Sequence, residues 1–451
     1  MRRTAWTLLV ISSVAALAGG TAAAVRPHYG GTVRVVLRAA PVTLDPARLS
    51  MAQDNHILGL VFEGLTQFDS HGRLQPQLAT RWQADSQNQR WQFWVRPGVN
   101  FQDGTPLTAD EVAASLHAAN PAWTVSASGD SVAIETTAPD PQLPAELALP
   151  RNGIARHTVN TVVGTGAFQV SQFQPGKSLV LSAYESYWDG RPFVDTVAVT
   201  LDQNWRQQMI ALELGKTDVA EVAPEQVRRT GLAGRTVVES APNELLALVF
   251  AREAQSAAEA RLRQALSESI DRFSIVNVLL QGQGEAARAI LPNWMTGYAM
   301  LFGQTGQGPG KGTIPESGGT ITLSYDPSEP ANQLLGERVA LNARDAGIRL
   351  QTAASAANAD VRLLRIPLAS SQPQLALEAV AEAAGLPLPR FQGTSPEELY
   401  AREKEMLQSG RIIPLAHVPQ ASAMGPGVEG WRTDLFGDYW LADVWLSGSK
   451  P

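Results

Sequence analysis

Apolar and polar side chains alternate at several places in the first half of the chain, which is the pattern of half-buried β-strands. In residues 32–38, Val33, Val35 and Leu37 fall on one face, and in residues 91–96 Trp91, Phe93 and Val95 do the same. Four more runs of this kind predict strands, at 131–137, 167–173, 179–184 and 194–201.

Apolar residues spaced three and four positions apart predict helices further along. One predicted helix runs from about Asn204 to Leu214 and ends at Gly215, a natural C-terminal cap. A longer one is predicted near residues 258–280. Thr108 and Glu111 form the pattern of a capping box and predict the start of a short helix.

A strand–helix–strand pattern follows the glycine-rich segment 303–319. A strand is predicted at 320–325, a helix at about 331–346 and a second strand at 348–352, with Gly347 ending the helix. Such a βαβ unit predicts a piece of parallel sheet in a second lobe.

The first residues have the pattern of an export signal. Arg2 and Arg3 precede the apolar run 5–18, and Ala22–Ala24 supply small residues, so we expect cleavage of residues 1–24 near Ala24. The alternative is a retained membrane anchor. The chain has no cysteine, so it has neither disulfides nor a thiol for lipid attachment. A periplasmic protein that is not a lipoprotein is therefore expected.

Length and charge limit the possible partners. The 427 residues after the signal exceed what one core usually serves, so two or three domains are expected. Loss of Arg2 and Arg3 leaves 34 basic and 43 acidic residues, a net charge of −9. This acidic balance disfavours nucleic acid and anionic membranes as partners.

No motif indicates catalysis, a metal or a cofactor. The six histidines are not paired at metal-ligand spacing. Residues 308–313 superficially resemble a phosphate loop, but Thr305 replaces its first glycine and Gly312 its final Ser or Thr. A hydrolytic carboxylate pair has nothing specific in its favour. We therefore expect no enzyme, although a hydrolase remains an alternative.

Taken in order, segments over most of residues 30–300 resemble the family 5 extracellular solute-binding proteins of ABC transporters, the dipeptide, oligopeptide and nickel receptors. Among them are GTGAFQV at 164–170 and ILPNWMTGY at 290–298. The other matching stretches are 30–47, 61–82, 91–116, 187–197 and 262–284.

The resemblance implies an α/β fold of two lobes, the type II periplasmic binding protein fold in its large form, with the ligand held between them. It places residues 25–245 and 423–451 in lobe I, with an extra subdomain at about 48–163, and residues 246–422 in a shortened lobe II. It also implies a monomer that delivers a peptide-like ligand to permease subunits by hinge closure. The same fold serving as a sensor or a chaperone-like binder of extended chains is the alternative.

By this resemblance, a few residues are candidates for ligand contact. Trp294 is the strongest, since an indole can cover varied side chains, although packing in the core explains it equally well. The others lie in the loop after residue 47, beside Trp294, or at the two hinge crossings expected near 243–250 and 419–424: Ser50, Met51, Gln53, Asp54, Asn293, Met295, Asn243, Glu244 and His417.

One departure from the family bears on the ligand. Peptide receptors of this family usually have an aspartate after a lobe II strand to pair with the ligand's amino group. Here the strand corresponds to residues 360–366, and the loop 367–373 has no acid before Glu378. A buried ammonium without a carboxylate would cost several kcal/mol. The ligand therefore lacks a free amine, is anchored by Glu244 instead, or is not a peptide.

Overall fold

The computed structural model describes residues 26–41, 43–50, 57–158, 161–303, 319–391, 393–437 and 439–448. The predicted signal peptide lies outside these ranges, and so do residues 304–318 of the glycine-rich segment. Within the ranges, no helix is long and apolar enough to span a bilayer.

Two strands of the described chain are long, with 15 and 13 residues, and the others are short. In order they are β1 (Thr32–Val36), β2 (Thr66–Phe68), β3 (Leu74–Pro76), β4 (Ala79–Ala84), β5 (Arg90–Val95), β6 (Thr124–Ser128), β7 (Ser131–Glu135), β8 (Arg156–His157), β9 (Val162–Val163), β10 (Phe168–Gln174), β11 (Ser178–Ala183), β12 (Thr196–Thr200), β13 (Val219–Glu221), β14 (Thr236–Phe250), β15 (Glu285–Ala286), β16 (Ile321–Tyr325), β17 (Leu350–Ala354), β18 (Val361–Pro367), β19 (Ile412–Met424), β20 (Val428–Glu429) and β21 (Trp445–Leu446).

The α-helices lie between these strands. They are α1 (Ala109–Ala119), α2 (Leu143–Glu146), α3 (Trp205–Glu213), α4 (Val227–Leu232), α5 (Ala257–Ser269), α6 (Arg272–Ser274), α7 (Asn293–Thr296), α8 (Asn332–Asp345), α9 (Pro373–Ala384) and α10 (Pro396–Gln408).

One mixed sheet runs through the molecule in the order β10-β11-β12-β1-β13-β19-β14-β18-β16-β17, with β15 beside β19. The half on the β1 side is lobe I, and the half with β16, β17 and β18 is lobe II. The antiparallel pair β14 and β19 belongs to both: Thr236 pairs with Met424 next to β13, whereas Phe250 lies next to β18. Each of these two strands therefore passes from one lobe to the other.

Separate apolar cores support the two halves. Lobe I is centred on β1, β11 and β12, and a four-stranded sheet β4-β5-β7-β6 with α1 encloses a core of its own. In lobe II, alternation along β14 places Leu246 and Leu248 on one face of the sheet, and Leu245 and Ala247 on the other, against α9. A strand that is buried on both faces is expected to be continuously apolar, as the second half of β14 is.

Several predicted elements are confirmed. Strand β1, helix α3 and the βαβ unit of β16, α8 and β17 lie where the sequence pattern placed them, and β16 and β17 are parallel. The Thr108 hydroxyl accepts the amide of Glu111 at 3.3 Å, and α3 begins with a reciprocal capping box between Asn204 and Gln207.

The single helix predicted at 258–280 is wrong. Helix α5 ends at Ser269, the backbone at Ile270 is extended, and α6 and a π-helical turn (Ile275–Leu279) follow. Asp271 starts the second helix by accepting the amide of Ser274 at 3.0 Å. The buried Arg272 guanidinium donates to the carbonyl oxygens of Ala287 and Pro414, both at 2.8 Å. The apolar spacing continues through the break because both helices pack on the same core.

Candidate functional site

The two long strands are weakly joined where they pass between the lobes. Pro242 faces Pro419 across the β14–β19 ladder, and the register shifts on both sides of Pro242, between Glu239 and Glu244. Proline has no N–H to donate to a ladder, so this pair interrupts the hydrogen bonds that stiffen a sheet. The β14–β19 ladder is therefore irregular where the two strands pass between the lobes.

Charged side chains from both lobes meet next to this crossing. Arg38 follows β1, and its Nη1 lies 2.5 Å from Oε1 of Glu329, which precedes α8 in lobe II. The Nε1–H of Trp205, the first residue of α3, donates to Oε2 of Glu329 at 3.2 Å. Arg365 of β18 donates through Nε to Oε2 of Glu244 at 2.5 Å. Both lobes therefore contribute charge to one contact region, the interlobe cluster: Arg38, Trp205, Glu244, Glu329 and Arg365.

Two further glutamates of lobe I border the interlobe cluster. Glu221 Oε2 accepts the backbone N–H of Arg38 at 2.5 Å and the side-chain amide of Gln208 at 2.9 Å. Burial raises the pKa of Glu225 above its usual value, although the positive charge of Arg365 opposes the rise. The remaining cavity between the side chains measures about 20 Å³, enough for about one water molecule.

The predicted residues at the first crossing lie at the interlobe cluster or beside it. Glu244 is 3% exposed and, besides its pairing with Arg365, accepts from Nε2 of Gln420 at 3.3 Å. Asn243 is buried, and its Oδ1 accepts from the Ser240 hydroxyl at 3.1 Å. The carboxylate proposed from sequence as an amine anchor therefore already neutralises an arginine of the protein.

The predicted residues around Trp294 lie on the short helix α7. The Trp294 indole is 37% exposed, donates through Nε1 to the Pro242 carbonyl at 3.2 Å, and has its ring centroid 6.2 Å from that of Phe436. Met295 packs against a lobe II core, and Asn293 is exposed. Trp294 thus connects this loop to the crossing point.

His417 points into lobe II rather than toward the interlobe cluster. It is 3% exposed, and its Nε2 lies 2.9 Å from the Ile290 carbonyl. Burial lowers the pKa of His417 to about 4, so the ring is neutral and donates through Nε2. His417 was expected at the cleft because it lies in sequence just before the second strand crossing between the lobes.

The loop after residue 47 is described only in part. Ser50 is half-buried, whereas Met51, Gln53 and Asp54 lie outside the described residues.

The loop that has no acid, residues 367–373, contacts the other lobe directly. The Ser371 hydroxyl donates to the Gly72 carbonyl at 2.9 Å. Nearby, Leu375 and Ala379 of α9 pack against Ala145 and Leu149. The loop therefore serves as a contact between the lobes in this structure.

Arg38, Trp205, Glu329 and Arg365 were not among the predicted site residues. Arg38 and Glu329 are 291 positions apart in sequence, and no local pattern connects them. One signal was available: Arg365 interrupts the otherwise apolar end of strand β18, and a charge in a largely buried strand usually has a partner. In the described part of the chain, no three His, Cys, Asp or Glu side chains are grouped as metal ligands.

Comparison with known proteins agrees with this architecture. Residues 73–382 match the bacterial extracellular solute-binding proteins, family 5 Middle. The chain is 27% identical over 209 residues to the nickel-binding protein NikA of Staphylococcus aureus, which is 43% of each chain. It is 25% identical over 293 residues to the probable D,D-dipeptide-binding periplasmic protein DdpA of Escherichia coli, covering 58% of this chain and 57% of DdpA. The matches therefore span about half the length of these relatives.

Solved structures show the same fold over nearly the whole chain. The structure of S. aureus NikA in complex with Ni(L-His)2 matches with a TM-score of 0.76 and 16% identity, over 92% of this chain and 100% of NikA. The dipeptide-binding protein of Pseudoalteromonas sp. SM9913 in complex with Met-Leu matches with the same TM-score, identity and coverage. The fold is thus the mixed α/β fold of two-lobed periplasmic binding proteins, as predicted. The chain belongs to the bacterial extracellular solute-binding proteins of family 5.

Proposed function

We propose that this protein captures a peptide-like solute between its lobes and delivers it to the permease subunits of an ABC transporter. It would work in the periplasm after cleavage near Ala24, as a monomer without a lipid anchor. Lobe I would comprise residues 25–245 and 423–451, with the subdomain at about 48–163, and lobe II residues 246–422. The proposal contains no catalytic step and no cofactor.

The observation that carries the proposal is the crossing of β14 and β19. The two strands are the paired connection between the lobes, and their ladder shifts register on both sides of Pro242, which faces Pro419. A hinge of this kind lets two packed bodies rotate with little change inside either one. Closure would then bring Arg38 and Trp205 of lobe I against Glu329 and Arg365 of lobe II.

The chemistry of the interlobe cluster suits a ligand with polar backbone groups. The guanidinium groups of Arg38 and Arg365, one from each lobe, and the indole N–H of Trp205 can bind carboxylate or carbonyl oxygens. All three side chains are buried or partly buried, so water competes weakly. A peptide-like ligand is also what the names of DdpA and of the Met-Leu complex suggest for this fold.

Mass spectrometry of small molecules retained through native purification of the exported protein is the test. We expect a peptide or peptide-like compound, and calorimetry should show that it binds to protein stripped of ligand. If no compound is retained, and pooled peptides of two to nine residues produce no heat on titration, the proposed solute class is wrong.

A further inference from the structure

A carboxylate of the protein itself lies among hydrogen-bond donors from both lobes. Glu329 is 11% exposed at its side chain, and each of its oxygens has partners. Oε1 is 2.5 Å from Arg38 Nη1, whereas Oε2 is 3.2 Å from Trp205 Nε1 and 3.7 Å from Arg365 Nη1. Two cations and one N–H thus converge on a single carboxylate.

The groups around Glu329 form a pocket that suits a carboxylate: Arg38 and Trp205 each donate a hydrogen bond to one of its oxygens, and Arg365 adds a positive charge 3.7 Å away. The guanidinium carbons of Arg38 and Arg365 lie 5.1 Å and 5.8 Å from the Trp205 ring centroid, within range of cation–π attraction. The indole therefore helps to hold both guanidinium groups. Hydrogen bonds from a charged guanidinium to a carboxylate are stronger than those to a neutral acceptor, which favours a carboxylate in this pocket.

We propose that Glu329 occupies a pocket for the ligand's carboxylate, formed by Arg38, Trp205 and Arg365, and that the ligand binds by displacing it. This inference rests on the proposed function, because it names a chemical group of the solute that the lobes enclose. Glu329 would then act as an internal competitor.

The balance of charges in the interlobe cluster favours a ligand carboxylate that displaces Glu329 over one that binds beside it. Arg38 and Arg365 face two carboxylates that are paired with them through side-chain contacts, Glu329 and Glu244. Glu221 adds a third carboxylate, held by the backbone N–H of Arg38 and by Gln208. Glu225 is a fourth, close enough to feel the charges of Arg365 and Glu329, and burial raises its pKa. A ligand carboxylate entering beside these groups would lack a counter-charge in a largely buried region, which is costly. If the ligand exchanges with Glu329, the total charge stays the same.

Glu329 is also the carboxylate that can leave. It lies in the turn between β16 and α8, where residues 326–328 and 330 are exposed. Glu244, in contrast, lies inside strand β14 and pairs with both neighbouring strands. A small movement of the turn would carry the Glu329 side chain into solvent, whereas moving Glu244 would disrupt the sheet.

Competition of this kind lowers the apparent affinity for the ligand by the fraction of time that the pocket is free. If Glu329 occupies the pocket nine-tenths of the time, affinity falls about tenfold. The variant Glu329→Gln should therefore bind a carboxylate-bearing ligand about tenfold more tightly. Glu337→Gln is the matched control, because Glu337 is exposed on α8 and accepts a hydrogen bond from Gln333.

The first test needs no knowledge of the natural ligand and uses acetate as the probe. In the full mature Glu329→Ala protein, acetate should enter the pocket, raise the melting temperature and shift the Trp205 indole N–H resonance. Wild type and Glu337→Ala should show neither effect at the same acetate concentration and ionic strength. If acetate leaves the Trp205 resonance of Glu329→Ala unchanged, the pocket does not bind carboxylates and the inference is overturned.

The second test compares pooled tripeptides that have a free C-terminal carboxylate with the same pool as C-terminal amides. Wild type should prefer the acids, and Glu329→Gln should gain affinity about tenfold for the acids and not for the amides. Equal binding of both pools to wild type would overturn the inference while leaving the proposed function intact. If no variant binds either pool, the proposed peptide function and the proposed ligand class are both refuted. The acetate experiment would still show whether the pocket binds carboxylates.

Discussion

The pairing of Glu244 with Arg365 makes a specific prediction about stability. The side chains of the two residues are 4% and 12% exposed, and the Arg365 guanidinium holds the carboxylate through two of its nitrogens. Replacing Glu244 with glutamine removes the charge while keeping nearly the same volume. Arg365 would then retain Glu329, 3.7 Å from its Nη1, as an ionic partner.

The expected loss follows from this geometry. Breaking a buried ion pair by removing one partner costs about 3–5 kcal/mol. Two features reduce that cost here, since Glu329 still compensates part of the Arg365 charge and the glutamine oxygen still accepts a hydrogen bond. We therefore expect Glu244→Gln to lower the free energy of unfolding by about 2–3 kcal/mol.

Urea unfolding of the mature protein, followed by tryptophan fluorescence, is the assay. Glu337→Gln removes one negative charge from an exposed position of lobe II and should change stability by less than about 0.5 kcal/mol. Combining Glu244→Gln with Arg365→Met should cost clearly less than the two single changes together, because no buried charge is then left unpaired. A Glu244→Gln protein as stable as the control, or strictly additive effects in the double variant, would refute the reasoning.

Three further predictions concern other buried or partly buried groups. Arg272→Met should cost about 2–3 kcal/mol in urea unfolding, since it removes the charged donor that the buried carbonyl oxygens of Ala287 and Pro414 share; a loss below about 1 kcal/mol would contradict this. Burial raises the pKa of Glu403 from 4.5 to about 7, so the folded state favours the protonated acid. The protonated Glu403 side chain therefore contributes stability that is complete below pH 4.5 and is lost as the pH rises through 7. Between pH 5 and 8 the melting temperature of wild type should fall relative to that of Glu403→Gln. If the melting temperatures of the two proteins change in parallel with pH, Glu403 does not have this role. Trp294→Ala should weaken ligand binding by about 1–3 kcal/mol in calorimetry and leave the fold intact, whereas unchanged affinity with a large drop in melting temperature would assign the indole to the core.

Local signals predicted local structure well. The start of α1 and the ends of α3 and α8 depend on neighbours within a few positions: the Thr108 hydroxyl caps α1, and the left-handed glycines Gly215 and Gly347 follow α3 and α8. The break at Ile270 was missed because the apolar spacing continues through it, since residues on both sides pack on one core. Part of what stabilises the break is tertiary: Arg272 binds carbonyl oxygens of segments far from it in sequence, among them that of Pro414.

The interlobe cluster could be predicted only in part, because its contacts join segments that are far apart in sequence. Glu244 was expected near the first crossing from the family resemblance, whereas the contact between Arg38 and Glu329 joins segments that share no sequence pattern. His417 was placed by its closeness to the second crossing in sequence. In β19, however, residues 412–419 are buried on both faces of the sheet, so closeness along the strand did not put its side chain in the cleft.

The central claim, closure of two lobes on a ligand, is tested most directly by a distance between spin labels. The chain has no cysteine, so His71→Cys in lobe I and Glu382→Cys on α9 can be labelled selectively. His71 adjoins Gly72, whose carbonyl contacts Ser371 across the lobes, so opening must lengthen the separation. We predict that protein stripped of ligand samples longer separations and that a saturating peptide leaves only the short one. A single distance, the same with and without a peptide that calorimetry shows to bind, would contradict the account.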